Sequence, residues 1–185
     1  MAHTLCPWWL GYFLVSPVRR LWQDPHAILR PFMRDGMLVL EPGCGMGFFT
    51  VDLARLAGPQ GKVVAVDVQP RMLSGLRRRA RRAGVEARIE TRLASDEGLS
   101  VEDLAGKVDF ALAFAVVHEV PDQSRFLDQL YHALRSGGKL LVAEPKGHVT
   151  EAGFAATTLQ AERAGFRVTD RPVIRWSRTA VLERR

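Results

Sequence analysis

The stretch Met37 to Thr50, MLVLEPGCGMGFFT, constrains the fold more than any other part of the chain. A short apolar run, Met37 to Leu40, ends in the acid Glu41; Gly43, Gly45 and Gly47 follow at alternate positions, and a helical pattern begins at Phe48. That order reads as buried strand, tight turn, helix. Glycine has no Cβ, so it reaches positive φ at little cost and lets the backbone close on a ligand. The turn is a candidate nucleotide-type binding loop.

Details of the loop narrow the ligand. The dinucleotide fingerprint cradles a pyrophosphate with the spacing G-x-G-x-x-G. Here the third glycine comes one residue early, and Glu41 stands at the end of the strand. An ionised carboxylate there repels a pyrophosphate and suits a ligand carrying an ammonium or sulfonium. The phrase EPGCGMGFF resembles motif I of the class I S-adenosylmethionine-dependent methyltransferases. That resemblance implies an α/β sheet of seven strands and S-adenosylmethionine as cofactor, with Glu41, Gly43, Cys44, Gly45 and Gly47 lining its methionine part.

The remaining chain fits such a sheet. With 185 residues, 47% hydrophobic and 25% charged, it has room for one domain with a sizeable core. Helical spacing runs from Phe48 to Ala57 and stops at Gly58 and Pro59; a strand Lys62 to Val66 follows and ends in Asp67. Pro70 opens a helix that Gly84 closes. Strands are expected at Ala87 to Leu93 and Val108 to Ala115, with a short helix near Val101 to Leu104. Asp122 caps a helix from Gln123 to Leu134, closed by a turn at Ser136, Gly137 and Gly138; a strand Lys139 to Ala143 follows, and Thr150 caps a helix reaching Ala164. Phe166 to Asp170 and Ile174 to Leu182 are joined by a turn at Arg171 and Pro172, too short for a parallel crossover, so they form an antiparallel hairpin. Five strands alternating with helices and finished by a hairpin make a doubly wound, mostly parallel α/β sheet with helices on both faces.

Ligands of such sheets sit beyond the carboxyl ends of the strands. Asp67 ends the second strand, and the resemblance implies that its carboxylate accepts hydrogen bonds from both ribose hydroxyls, with Val68 and Met72 flanking the adenine. After the third strand the family has an acid that contacts the adenine amino group; here Ser95 holds that place and Asp96 follows one residue late, so both are candidates. After the fourth strand come Phe114, a cofactor-binding candidate, then His118 and Glu119, and after the fifth come Glu144 and His148. These four are the catalytic candidates. Methyl transfer is a displacement that mainly needs alignment and exclusion of water, and a base such as His118 or His148 is required only when the nucleophile must lose a proton. No group of residues has the tight ligand spacing of a metal site.

Residues 1–36 precede the first strand and carry Trp8, Trp9, Tyr12, Phe13, Trp22 and Phe32 between four prolines. They are expected to form a cap, with residues 37–185 as the cofactor-binding domain. An aromatic lid suits a small apolar or cationic acceptor. The net charge is +6, and its excess is concentrated at Arg77, Arg78, Arg79, Arg81 and Arg82, read as the solvated outer face of an amphipathic helix. A nucleic-acid substrate gripped by that face is the second reading, and a cofactor-binding partner protein without turnover is the third. No apolar stretch reaches the ~20 residues of a membrane span, and two cysteines, Cys6 and Cys44, make no disulfide framework. A reducing, cytoplasmic setting and a small-molecule methyl acceptor are expected.

Overall fold

The computed structural model describes residues 19, 20, 22–95 and 98–185. The expected cap residues Trp8, Trp9, Tyr12 and Phe13, together with Cys6 and Asp96, lie outside the described residues. Seven strands form one sheet in the order β3-β2-β1-β4-β5-β7-β6. They are β1 (Leu38–Pro42), β2 (Lys62–Asp67), β3 (Ile89–Leu93), β4 (Val108–Phe114), β5 (Leu134–Pro145), β6 (Phe166–Asp170) and β7 (Ser177–Arg184). The helices are α1 (Pro25–Leu29), α2 (Thr50–Leu56), α3 (Pro70–Arg82), α4 (Gln123–Ala133) and α5 (Glu151–Arg163). Two compact units divide this chain after Ser100.

In the first unit β1, β2 and β3 are parallel, with Glu41 opposite Ala65 and Asp67 opposite Leu93. β2 is buried from Val63 onward, the continuous apolar run that a strand covered on both faces requires. Pro70 stands in the first turn of α3, where its missing N–H costs nothing. Met72, Leu73, Leu76 and Ala80 recur at helical spacing and form the buried face of α3, against which Cys44 and Ala65 pack. Two glycines let this helix come close to the bend. A Cβ on Gly75 would lie 2.8 Å from Met46 Cγ, and one on Gly47 would lie 2.3 Å from Leu76 Cδ1.

The second unit holds β4 and β5 in parallel and β7 antiparallel to both β5 and β6. Asp122 Oδ1 accepts from Arg125 N at 2.9 Å and Thr150 Oγ1 from Gly153 N at 3.1 Å, so both expected caps form. Two boundaries differ from the sequence reading. The segment Ser136 to Gly138 is no free turn: β5 begins directly after α4, and the register passes from Val108 opposite Leu134 to Phe110 opposite Lys139, so residues 135–138 bulge out. Gly138 is needed there, since a Cβ would meet Arg135 O at 2.8 Å and Val108 O at 3.0 Å. The β6–β7 connection is also longer than a two-residue turn, because Ile174 folds inward as a buried anchor and β7 begins only at Ser177, which pairs with Pro145 of β5. The antiparallel hairpin itself is as expected.

Gly47 has φ +82 and its space is filled by buried Leu76, so Gly47→Ala combines left-handed strain with overpacking. Chemical denaturation is expected to show a loss of roughly 2–4 kcal/mol. A loss below about 0.5 kcal/mol would mean that Leu76 moves aside freely.

Candidate active site

The glycine bend is held from three directions. Gly43, Gly45 and Gly47 all have positive φ, at 69°, 53° and 82°. From β2, Asp67 Oδ2 accepts from Gly45 N at 2.9 Å, while its Oδ1 accepts from Gln69 N, also at 2.9 Å. From α3, Arg79 Nη1 donates to Met46 O at 3.1 Å and to Gly47 O at 2.8 Å. From α2, Thr50 Oγ1 donates to Glu41 Oε2 at 2.5 Å, which ties the end of β1 to the helix after the bend. Burial pulls the Arg79 pKa down from its ordinary value.

Glu41 is 3% exposed, and burial pushes its pKa up to about 8, with the nearby charge of Asp67 adding to the shift. This corrects the expectation of a standing negative charge at the bend. Removal from water favours the protonated form of the Glu41 carboxyl, and a cation arriving beside it favours the anion. Cys44 is also turned inward: its side chain is 5% exposed among Ala65, Leu73 and Leu76, and burial raises its thiol pKa well above the usual value. Only its backbone lies along the bend, where Cys44 N donates to Val66 O at 3.1 Å.

Asp67 is the acid that the bend presents. Backbone N–H groups of Gly45, Gln69 and Val68 orient the carboxylate, whose acceptor capacity is not used up by them and is left for a ligand hydroxyl. A Cβ at Gly45 would meet nothing within 4 Å, so the bend opens to free space beside this carboxylate. An open glycine bend, an acid with spare acceptor capacity and a buried carboxyl ready to ionise fit a nucleoside carrying a cationic tail. Val68 is exposed, whereas Met72 is buried on the inner face of α3. Ser95 is fixed by paired backbone hydrogen bonds with Gly98, both 3.0 Å.

In the second unit the residues after β4 and β5 converge. Ala115, with φ +55, breaks the strand and starts a short turn, Val117–Glu119, that carries His118 and Glu119. Glu144, 1% exposed near the end of β5, accepts from Val116 N at 3.2 Å and Val117 N at 2.9 Å through Oε1. Its Oε2 bonds His118 Nδ1. The ring of His148 meets that of His118 edge to face, with centroids 5.4 Å apart. The hydrogen bond to Glu144 raises the His118 pKa, burial opposes it, and the charges of Glu144 and Glu119 add to it. With Nδ1 bonded to a carboxylate, the neutral ring carries its proton on Nδ1 and offers Nε2 as a base. Glu144 is therefore an orienting group buried behind His118. Phe114, half-buried, ends β4.

Four contributors escaped the sequence reading. Thr50 has no signal beyond its place at the start of α2. Arg79 had one: it lies three residues after Leu76 and seven after Met72, on the apolar stripe, and so belongs to the inner face and not the outer basic one. Arg19 stacks its guanidinium on Phe48 at 4.1 Å, and Arg20 pairs with Asp52 of α2 at 3.0 Å, which ties the pre-strand segment down beside the bend.

A sheet of this order, with a glycine bend after its first strand and an acid after its second, defines the class I, Rossmann-like S-adenosylmethionine-dependent methyltransferases. The chain belongs to this family: the family model described as a methyltransferase domain matches residues 33–169. A ubiquinone/menaquinone biosynthesis C-methyltransferase, UbiE, from Marinomonas sp. is 32% identical over 127 residues, 69% of this chain and 49% of that protein. An arsenite methyltransferase from Halobacterium salinarum is 33% identical over 112 residues, 60% of this chain and 28% of that protein. The chain thus spans half or less of the length of these curated relatives. A crystal structure of an S-adenosylmethionine-dependent methyltransferase from Aquifex aeolicus is similar with a TM-score of 0.85 and 25% identity, covering 97% of this chain and 100% of that one.

Two outcomes are expected in calorimetric titration with S-adenosylmethionine. Asp67→Ala removes the acceptor for Gly45 N and the acceptor positions open beside the bend, and should weaken binding at least ~100-fold, the lower end of two hydrogen bonds to a charged group; a change under about threefold would remove Asp67 from the site. Near neutral pH, binding should release protons, because a cation beside Glu41 lowers a pKa that stands at about 8 in the free chain. Titration in buffers of different ionisation enthalpy reads that release, which Glu41→Gln should diminish.

Proposed function

We propose that the chain transfers a methyl group from S-adenosylmethionine to carbon on a small, hydroxylated aromatic acceptor. The single observation that carries this reading is the His118–Glu144 pair, a base held in one tautomer by a buried carboxylate. When bound, the cofactor supplies a methyl group on a positively charged sulfur. Asp67 and the bend hold its nucleoside, and Glu41 balances its charge. His118 Nε2 takes the proton of a ring hydroxyl, and the phenolate so formed is electron-rich at the adjacent ring carbon. Glu144 keeps the ring oriented and stabilises the imidazolium that results. The imidazolium gives that first proton to solvent, and the neutral ring so restored takes the ring C–H proton released after methylation.

Similarity to a carbon methyltransferase of quinone biosynthesis supports this acceptor class. Similarity to an arsenite methyltransferase raises a metalloid acceptor as a second reading, but such an acceptor wants exposed thiolates. Cys44, the free cysteine among the described residues, is buried with a raised pKa. The nucleic-acid reading loses much of its basis on α3: Arg79 is committed to the bend, Arg81 is paired with Glu86 at 3.0 Å, and Arg77 bonds Thr91 at 2.9 Å. We also propose that residues 1–36 form a cap over the acceptor, supported by the anchoring of Arg19 and Arg20 beside the bend. No described helix is long and apolar enough to cross a membrane. The buried thiol of Cys44 supports a cytoplasmic setting.

A pH–rate profile with a soluble hydroquinone acceptor tests the base. His118 must be neutral to act, and Glu144 raises its pKa, so kcat/KM should climb with pH through a value above the ordinary 6.5. Glu144→Gln can still accept from the Val116 and Val117 amides but no longer supplies the charge, so the inflection should move down while the plateau falls roughly 10–100-fold. His118→Ala should cost about 10²–10⁴-fold. A flat profile unaffected by either variant would rule out His118 as the base.

A further inference from the structure

The connection between β6 and β7, Arg171 to Trp176, exposes two large apolar side chains. Val173 is 100% exposed and Trp176 is 53% exposed. The segment is nevertheless pinned. Ile174 is buried, Ser177 N donates to Ile174 O at 3.0 Å, and Lys146 N donates to Trp176 O at 2.8 Å. Thr179 Oγ1 donates to Pro172 O at the base of the loop. Trp176 itself has φ +61, a left-handed conformation that a bulky residue rarely adopts. Strain of this kind persists where surrounding contacts enforce it and marks functional segments. The tip is thus held out by the fold.

Cations surround it. A cleft of about 260 Å³ opens beside the loop, with Lys146, Arg171 and Arg178 on its rim and Phe154 and Ile174 among its lining. Arg175 lies over the Trp176 ring at 4.3 Å. Arg178 Nε donates to Val149 O, but the side chains of Lys146 and Arg171 have no hydrogen-bond or ion-pair partner among the described residues. Glu151 in the cleft and Asp170, which accepts from Arg171 N, are the acids close by. Ser177 pairs with Pro145, so the loop sits at the end of the sheet where β5 delivers Glu144, one residue before Pro145.

We propose that this loop docks the protein on an anionic phospholipid bilayer, with Val173 and Trp176 entering the headgroup boundary and Lys146, Arg171 and Arg175 meeting lipid phosphates. Tryptophan favours that boundary because its ring is apolar and its N–H is polar, and basic side chains add attraction to an anionic surface. One valine and one tryptophan hold a protein only weakly, so the apolar and cationic parts must act together. A second copy of the chain fits poorly, since it would set Lys146, Arg171, Arg175 and Arg178 against their own copies. Docking goes beyond the proposed function; only the corollary that a lipid-soluble acceptor reaches His118 from the membrane rests on that reading.

Flotation with vesicles tests it. The protein should float with phosphatidylglycerol-containing vesicles and bind pure phosphatidylcholine, or any vesicle at high salt, at least ~10-fold more weakly. Val173→Asp with Trp176→Gly, and separately Lys146→Glu with Arg171→Glu, should each weaken binding at least ~10-fold. Both pairs should leave S-adenosylmethionine affinity unchanged. Val173 is fully exposed and glycine is at home at φ +61, so the first pair should fold normally. The proposal is overturned by failure to float with either vesicle, by equal binding to both lipids, or by binding that ignores the substitutions. It is equally overturned if binding of inorganic phosphate accounts for the cleft, or if self-association that Val173→Asp abolishes accounts for the tip. Methyl transfer to a soluble hydroquinone without vesicles is measured alongside, so loss of docking and loss of the proposed reaction are read separately.

Discussion

The hydrogen bond from Gly45 N to Asp67 is the contact on which the first unit turns. Three glycines in five residues give the chain freedom to bend sharply, and the same freedom makes the bend costly to order. The acceptor from β2 offsets that cost by fixing the middle glycine, and Gln69 N fixes the acceptor in turn. Arg79 then satisfies the carbonyls of Met46 and Gly47 on the opposite side. A short loop is thus held by a carboxylate on its N–H side and a guanidinium on its C=O side. Both partners are only partly screened by water, which makes these charge-assisted bonds worth more than neutral ones.

The second unit solves a different problem, which is to bring a titrating ring and a carboxylate together from segments 26 residues apart. β4 and β5 are parallel neighbours in register from Phe110 opposite Lys139 to Phe114 opposite Ala143, so the residues following each strand emerge side by side. Ala115 leaves the strand in a left-handed conformation, and its N–H still donates to Ala143 O at 2.7 Å. That reversal swings the Val116 and Val117 amides onto Glu144, which satisfies one oxygen of a fully buried carboxylate and leaves the other for His118. A buried carboxylate without those amides would be costly, so the strained alanine and the His118–Glu144 pair belong to one device.

Most of the frame was legible because it depends on features that act over a few residues. Apolar runs ending in an acid, Pro70 at a helix start, Asp122 and Thr150 as caps, and glycines at helix ends each carry their own physics, and each stands where the pattern put it. What failed to show depends on burial or on partners distant in sequence. Glu41 reads as a charge until its exposure is known to be 3%. Ser136 to Gly138 have the composition of a turn, and only the register between β4 and β5 makes them a bulge. Sequence order brought His118 and Glu144 to the same end of the sheet, but the roles of base and orienting group proposed for them rest on which of them is buried.

The basic character of the chain is likewise decided by position more than by number. Five arginines in six residues of α3 look like one surface, yet helical geometry distributes them around the axis, and each direction meets a different neighbour. Arg79 points at the bend and becomes part of its framework; Arg81 finds Glu86, and Arg77 finds Thr91. Lys146 and Arg171, separated in sequence and inconspicuous in composition, line one cleft, and their side chains have no partner among the described residues. A density of charge in sequence therefore says little about where an acidic surface would be met. The cations available to an outside partner are those that the fold leaves without an internal one.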